Sequence, residues 1–179
     1  MNSYAVFLRG INVGGINIKM AALKDALASA GFAGVRTLLA SGNVVLASGE
    51  NPAAVKQKFE KCLRDSFGYD AWVVVLTAER VAELVDACPY PEDDTATHTY
   101  ITLASDTARL DELDTAGAAL EGSEQKRLGP EALAWLAPVG GTLDSPFSKI
   151  SAKAKFKTST TTRNLRTMIK VRDAAASLS

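Results

Sequence analysis

The chain has 179 residues, 47% of them hydrophobic and 22% charged, with no net charge. That composition fits an ordinary globular protein of one compact domain or two small packed ones, and a cytoplasmic location is expected. It offers no apolar run of membrane-spanning length, and one histidine with two separated cysteines excludes a zinc site built on histidine and disfavours a disulfide framework. No metal and no cofactor is expected.

In chain order, Tyr4 to Arg9 reads as a central strand, apolar on both faces until Arg9. The loop Arg9-Gly10-Ile11-Asn12-Val13-Gly14-Gly15-Ile16-Asn17 follows and hands over to a helix carrying Met20, Leu23, Leu27 and Ala30, with Asn17 as expected N-cap and Gly31 as stop. Val35 to Leu39 and Val44 to Ala47 are strands joined by the turn Ala40-Ser41-Gly42-Asn43. Asn51-Pro52 opens a second helix, with Val55, Phe59, Cys62, Leu63 and Phe67 inward, that stops at Gly68. Ala71 to Leu76 is a further strand. The order β-α-β-β-α-β is the ferredoxin-like split unit.

Thr77 caps a third helix that ends at Pro89-Tyr90-Pro91, and Glu92-Asp93-Asp94 reads as a solvated connection. A second pass begins with strand His98 to Leu103, a helix opened by Asp106, and a hairpin of Glu124–Leu128 with Ala132–Leu136 across Gly129-Pro130. After the loop Val139 to Phe147, Ser148 is expected to cap a short helix. Thr160-Thr161-Thr162 then precedes a final helix, so an extra helix occupies the place of a fourth strand. The reading is an α+β fold of two packed ferredoxin-like lobes, the second ending in extra helices. Residues 1–76 form the first lobe. Residues 77–179 form a linker helix, a second α/β lobe and basic C-terminal helices, the whole making one compact unit.

Four segments, Arg9 to Gly15, Ser41-Gly42-Asn43-Val44-Val45, Ser148-Lys149 and Thr161-Thr162-Arg163-Asn164, resemble the signature segments of the domain-of-unknown-function 1697 family (DUF1697) in the same order. The resemblance implies a bacterial protein with two ferredoxin-like halves and no established activity. Two segments depart from the family pattern: Leu165 stands where the family usually has tryptophan, and Asp144-Ser145-Pro146-Phe147 lacks the arginine that usually approaches the Ser-Lys pair.

Glycines between a strand and a helix expose backbone N–H groups to an anion. Gly10 and Gly15 have P-loop spacing, but Ile16 and Asn17 replace the required Lys and Ser/Thr, and the dinucleotide fingerprint is absent. In a ferredoxin-like unit the end of the first strand and the turn between the second and third share an edge. The candidate ligand-binding residues are therefore Arg9, Asn12, Gly14, Gly15, Ser41 and Asn43, with Lys149, Arg163 and Asn164 contributed from the second lobe, each at an expected helix start. The expected partner is a small phosphorylated or carboxylated ligand, nucleotide-like among others. A nucleic acid or a protein partner on the basic 149–172 stretch is the alternative: it holds eight basic residues and no acidic one, against eleven acidic residues and two arginines between Thr77 and Glu121. No nucleophile–base motif stands out, so no catalytic residue is assigned.

Overall fold

The structure is a computed structural model that describes residues 1–9, 17–39 and 42–178. The first half of the chain runs β1 (Asn2–Leu8), α1 (Met20–Ser29), β2 (Ala33–Leu38), β3 (Asn43–Ser48), α2 (Pro52–Phe67), β4 (Val73–Thr77) and α3 (Ala78–Ala87). Its four strands form an antiparallel sheet in the order β2-β3-β1-β4. Tyr4, Val6 and Leu8 of β1 alternate onto the face under α1 and α2, where they meet Leu23, Leu27, Val55, Phe59 and Leu63. The other face of β1, Ala5 and Phe7, is buried as well, with Val45, Val74 and Leu76 beside it. A strand buried on both faces explains the continuous apolar run.

The second half repeats this order with β5 (Thr97–Ala104), α4 (Thr107–Ala118), β6 (Gln125–Gly129), β7 (Ala132–Pro138), a 3-10 turn at Thr142–Asp144, α5 (Pro146–Ser151), α6 (Ala154–Lys157), β8 (Thr160–Asn164) and α7 (Leu165–Ala176). Its sheet order, β6-β7-β5-β8, is that of the first. Trp135, Phe147, Phe156, Leu110 and Leu113 build the core beneath its helices. Trp135 stacks on Tyr100 at 4.8 Å between centroids and lies 4.8 Å from Phe147. Its Nε1–H donates to Thr102 Oγ1 at 3.0 Å.

Three sequence expectations are corrected. Thr160-Thr161-Thr162 belongs to a strand, β8, which pairs with Ala104 to Tyr100 and completes the second ferredoxin-like unit. The β-branched threonines suit a strand, and β8 runs into α7 with no intervening loop. Asn17 does not cap α1, which starts after Lys19 without a side-chain cap. Ser145, not Ser148, caps α5: its Oγ accepts the Ser148 N–H at 3.2 Å, and Pro146 takes the first helical position. The caps expected at Asn51, Thr77 and Asp106 are present, their side-chain oxygens accepting the N–H groups of Ala54, Arg80 and Ala108. Gly68 ends α2 in the left-handed conformation, φ 61°.

The chain divides into two compact units, Met1–Ala82 with Lys170–Ser179, and Glu83–Ile169. The division falls inside α3 and α7.

Candidate functional site

Three segments meet at one edge of the first sheet. Phe7 is in register with Asn43, Asn43 with Leu38, and Leu8 with Val73. The Leu8 N–H donates to the Gly42 carbonyl at 2.8 Å. The exit of β1, the β2–β3 turn and the entry to β4 are therefore neighbours.

Arg9 stands one residue beyond β1 and is half-buried. Its carbonyl accepts the Tyr69 hydroxyl, which pins the chain where it leaves the strand. Burial pushes the Tyr69 phenol up, and the Arg9 charge opposes that shift. The Arg9 guanidinium lies 5.9 Å from the centroid of the half-buried Trp72 ring. Among the described residues it is ion-paired with no carboxylate. Lys56, 6.0 Å from the same ring, is committed elsewhere: its Nζ donates to the Val73 carbonyl at 2.6 Å and pairs with Glu60, whose Oε1 accepts the Val73 N–H at 3.1 Å. That trio closes the start of the edge strand β4.

Asn43 is fully buried and donates from Nδ2 to the Leu38 carbonyl at 3.1 Å. Its amide braces the β2–β3 turn. Asn12, Gly14, Gly15 and Ser41 lie outside the described residues.

The second half supplies an internal reference for this edge. There the Ala104 N–H donates to the Glu131 carbonyl at 2.9 Å, the counterpart of the Leu8–Gly42 bond. Ala104 is in register with Thr160 as Leu8 is with Val73. Ser105 thus holds the position of Arg9, and Ser159 that of Trp72. The connections differ too. The first strand reaches its helix through residues 9–19 in the first half and through residues 105–106 in the second. The hairpin turn is 39–42 in one and 130–131 in the other. Strand-to-helix links of two residues satisfy this topology, so the longer first link is not a demand of the fold.

The remaining sequence candidates fall in the second unit. Lys149 is exposed and sits in the last turn of α5, where a cation complements the helix dipole instead of opposing it as expected. Arg163 is not at a helix start: it lies inside β8, 7% exposed, and donates to Thr161 Oγ1 at 2.6 Å and the Thr162 carbonyl at 3.1 Å. Burial lowers its pKa to about 10. Asn164 ends β8, and its Oδ1 accepts the Arg166 N–H at 2.8 Å, capping α7.

The Asn164 Nδ2 donates at 3.3 Å to Asp93, whose carboxylate is 7% exposed and also takes Arg166 at 2.6 Å and faces His98 Nδ1 at 3.3 Å. Asp93 was expected in a solvated loop; it is instead the hub tying that loop to β5, β8 and α7. Burial works against its charge, but the Asn164 hydrogen bond, the His98 imidazole beside it and the Thr99 backbone outweigh it, so its carboxyl sits below the usual range. The basic stretch is dispersed by such pairings: Arg163 is buried, Arg166 serves Asp93, and Lys155 pairs with Glu112 at 3.2 Å.

Among the described residues, no three of His, Cys, Asp and Glu stand together as a metal would require, and no helix is long and apolar enough to cross a membrane. Cys62 and Cys88 are both free. The functional candidate missing from the sequence-derived set is Trp72. The signal for it was register: continuing the β1–β4 pairing by one residue beyond Leu8 and Val73 sets Arg9 beside Trp72.

No curated protein matches the chain. Among solved structures it is similar to "The structure of conserved bacterial protein SP0830 from Streptococcus pneumoniae", with 21% identity, a TM-score of 0.82, and coverage of 97% of this chain and 98% of that one. At that identity the likeness shows the fold. The family described as "Protein of unknown function (DUF1697)" matches residues 1–133, including the Arg9 edge and Trp72. The chain belongs to the DUF1697 family.

Proposed function

We propose that the protein binds a small anionic ligand, phosphorylated or carboxylated, at the edge formed by Arg9, the following glycine loop and the β2–β3 turn. The observation that carries this reading is the contrast between equivalent edges of the two halves. Arginine and tryptophan stand beside a long connection in the first half, where two serines stand beside a two-residue link in the second. A half-buried guanidinium is costly without a counter-charge. Among the described residues Arg9 pairs with no carboxylate and lies over the ring of Trp72, and a planar fork of donors suits a phosphate or carboxylate. Asn12, Gly14, Gly15 and Ser41 supply amide and hydroxyl donors on the two connections, and Asn43 holds the turn. Lys149, Arg163 and Asn164 have weaker support, since Arg163 and Asn164 already serve β8 and α7.

Calorimetric titration with inorganic pyrophosphate and with citrate tests the reading. At least one of the two binds the wild-type protein, and Arg9→Ala weakens that binding about tenfold or more, the loss expected for one charge-assisted contact. Equal binding by a folded Arg9→Ala protein, or none by wild type, overturns it.

A further inference from the structure

The turn between β2 and β3 carries a strain that the fold does not impose. Among the described residues, Leu39 is the one that combines a side chain with a left-handed backbone, φ 59°. That conformation crowds a Cβ against the following carbonyl; glycine takes it freely, and asparagine far more readily than leucine. At the other end of the same turn the chain does use glycine, Gly42, φ 79°. Leu39 is also 49% exposed, a large apolar side chain left open to solvent. The equivalent turn of the second half, Pro130-Glu131, has no left-handed residue. Arg127 closes it by donating to the Gly129 and Pro130 carbonyls at 2.6 and 3.1 Å.

Bonds on both sides hold Leu39 as it is. The buried Asn43 donates from Nδ2 to the Leu38 carbonyl at 3.1 Å, and the Gly42 carbonyl accepts the Leu8 N–H at 2.8 Å. Strain maintained in this way is a pointer to function. Glycine or asparagine would make the same turn with less of it; what leucine adds is a branched apolar surface in water. Register gives its place. Phe7 pairs with Asn43 and Asn43 with Leu38, so Leu39, one residue beyond β2, stands at the same end of the sheet as Arg9, one residue beyond β1. Only β3 separates the two strands, and two strand spacings of about 4.8 Å set the positions about 10 Å apart.

Resting on the anion-binding reading of Arg9, we infer that the ligand is an anion with an aliphatic body, its charged group taken by Arg9 and its hydrocarbon laid against Leu39. Arg9 reads the charge, which any phosphate or carboxylate offers. Leu39 determines specificity, since each methylene it helps to cover raises affinity by up to about fourfold. The distance between the two positions asks for a body of several carbons, so the smallest anions gain nothing from the leucine.

The test titrates the full chain by calorimetry with acetate, butanoate, hexanoate and octanoate, and compares inorganic phosphate with hexyl phosphate. Affinity for wild type rises along the carboxylate series, octanoate binding about tenfold tighter than acetate or better. Hexyl phosphate outbinds inorganic phosphate in the same way if the charged group is a phosphate. Leu39→Asn, which accepts the left-handed backbone and lacks the apolar surface, stays folded and binds long and short members alike. Leu39→Met, which restores an aliphatic side chain, restores the rise.

If chain length brings no gain in either series, or the gain persists in Leu39→Asn, the inference falls. The anion reading survives that outcome whenever pyrophosphate or citrate binding still depends on Arg9. A wild-type protein that binds none of the anions removes both.

Discussion

The two halves of this chain solve the same topological problem and finish it differently at one sheet edge. In the second half the strand β5 reaches α4 through Ser105 and Asp106, and Asp106 caps the helix with its carboxylate. Charged groups there are answered from within: Asp93 by Asn164, His98 and Arg166, Glu112 by Arg109 and Lys155. In the first half the same exit carries Arg9, ion-paired with no carboxylate among the described residues, and a much longer link. One half shows what the fold requires. What the other adds at equivalent positions is where function is to be sought, because packing and topology do not explain it.

The tryptophans give the largest effect that can break this comparison. Trp135→Ala removes a buried indole that packs on two rings and leaves Thr102 Oγ1 with Thr162 Oγ1, 2.9 Å away, as its remaining side-chain partner. It should cost about 3–5 kcal/mol, read by urea unfolding. Trp72→Ala, at the half-exposed edge, should cost about 1 kcal/mol or less. Similar costs for the two would make Trp72 a packing residue like Trp135 and remove the distinction drawn at the Arg9 edge.

Asp93 gives a smaller effect with a pH signature. Replacing it by asparagine keeps the shape but takes the charge from Arg166 and His98, a loss of about 1–2 kcal/mol at neutral pH. The carboxyl's pKa is lowered in the folded protein, so its contribution is complete above the ordinary carboxylate pKa and is lost as pH falls through the lowered folded value. The difference in melting temperature between wild type and Asp93→Asn should therefore close as pH falls below about 4, through the carboxylate range. A difference that persisted unchanged below that range would contradict the role of Asp93 as a charged hub.

Much of the fold was legible because local signals agreed with the topology. Asn51-Pro52, Gly68, Thr77 and Asp106 mark helix ends by capping chemistry that acts within a few residues. The strand at Thr160–Asn164 was hidden for the opposite reason. Its polar threonines lack an alternating apolar pattern, and no turn residue separates Asn164 from Leu165 of α7. The same polar pattern puts Arg163 at a helix start, whereas it is a buried strand residue. Asp93 looked like part of a solvated acidic loop, since its partners His98, Asn164 and Arg166 come from elements that only the folded sheet brings together. Arg9 was legible because an arginine ending an apolar strand is locally anomalous. Trp72 needed the register of β1 against β4, information that local pattern does not carry.

The smallest expected effect decides what Arg9 is for. If the arginine held the fold together, Arg9→Ser, which installs the residue found at the equivalent position of the second half, would cost as much as Asp93→Asn does. Its described side-chain contact is a cation–π pair at 5.9 Å, worth about 0.5 kcal/mol at a partly exposed site. The Tyr69 hydroxyl bonds its backbone carbonyl, which the substitution leaves in place. Urea unfolding of Arg9→Ser should thus stay within about 0.5 kcal/mol of wild type, while anion binding is lost. The reciprocal Ser105→Arg, at an exposed position beside a two-residue link, should change neither stability nor binding. A destabilised Arg9→Ser protein would return the arginine to the architecture. A stable one that has lost its anion separates the edge's ligand chemistry from the fold that both halves share.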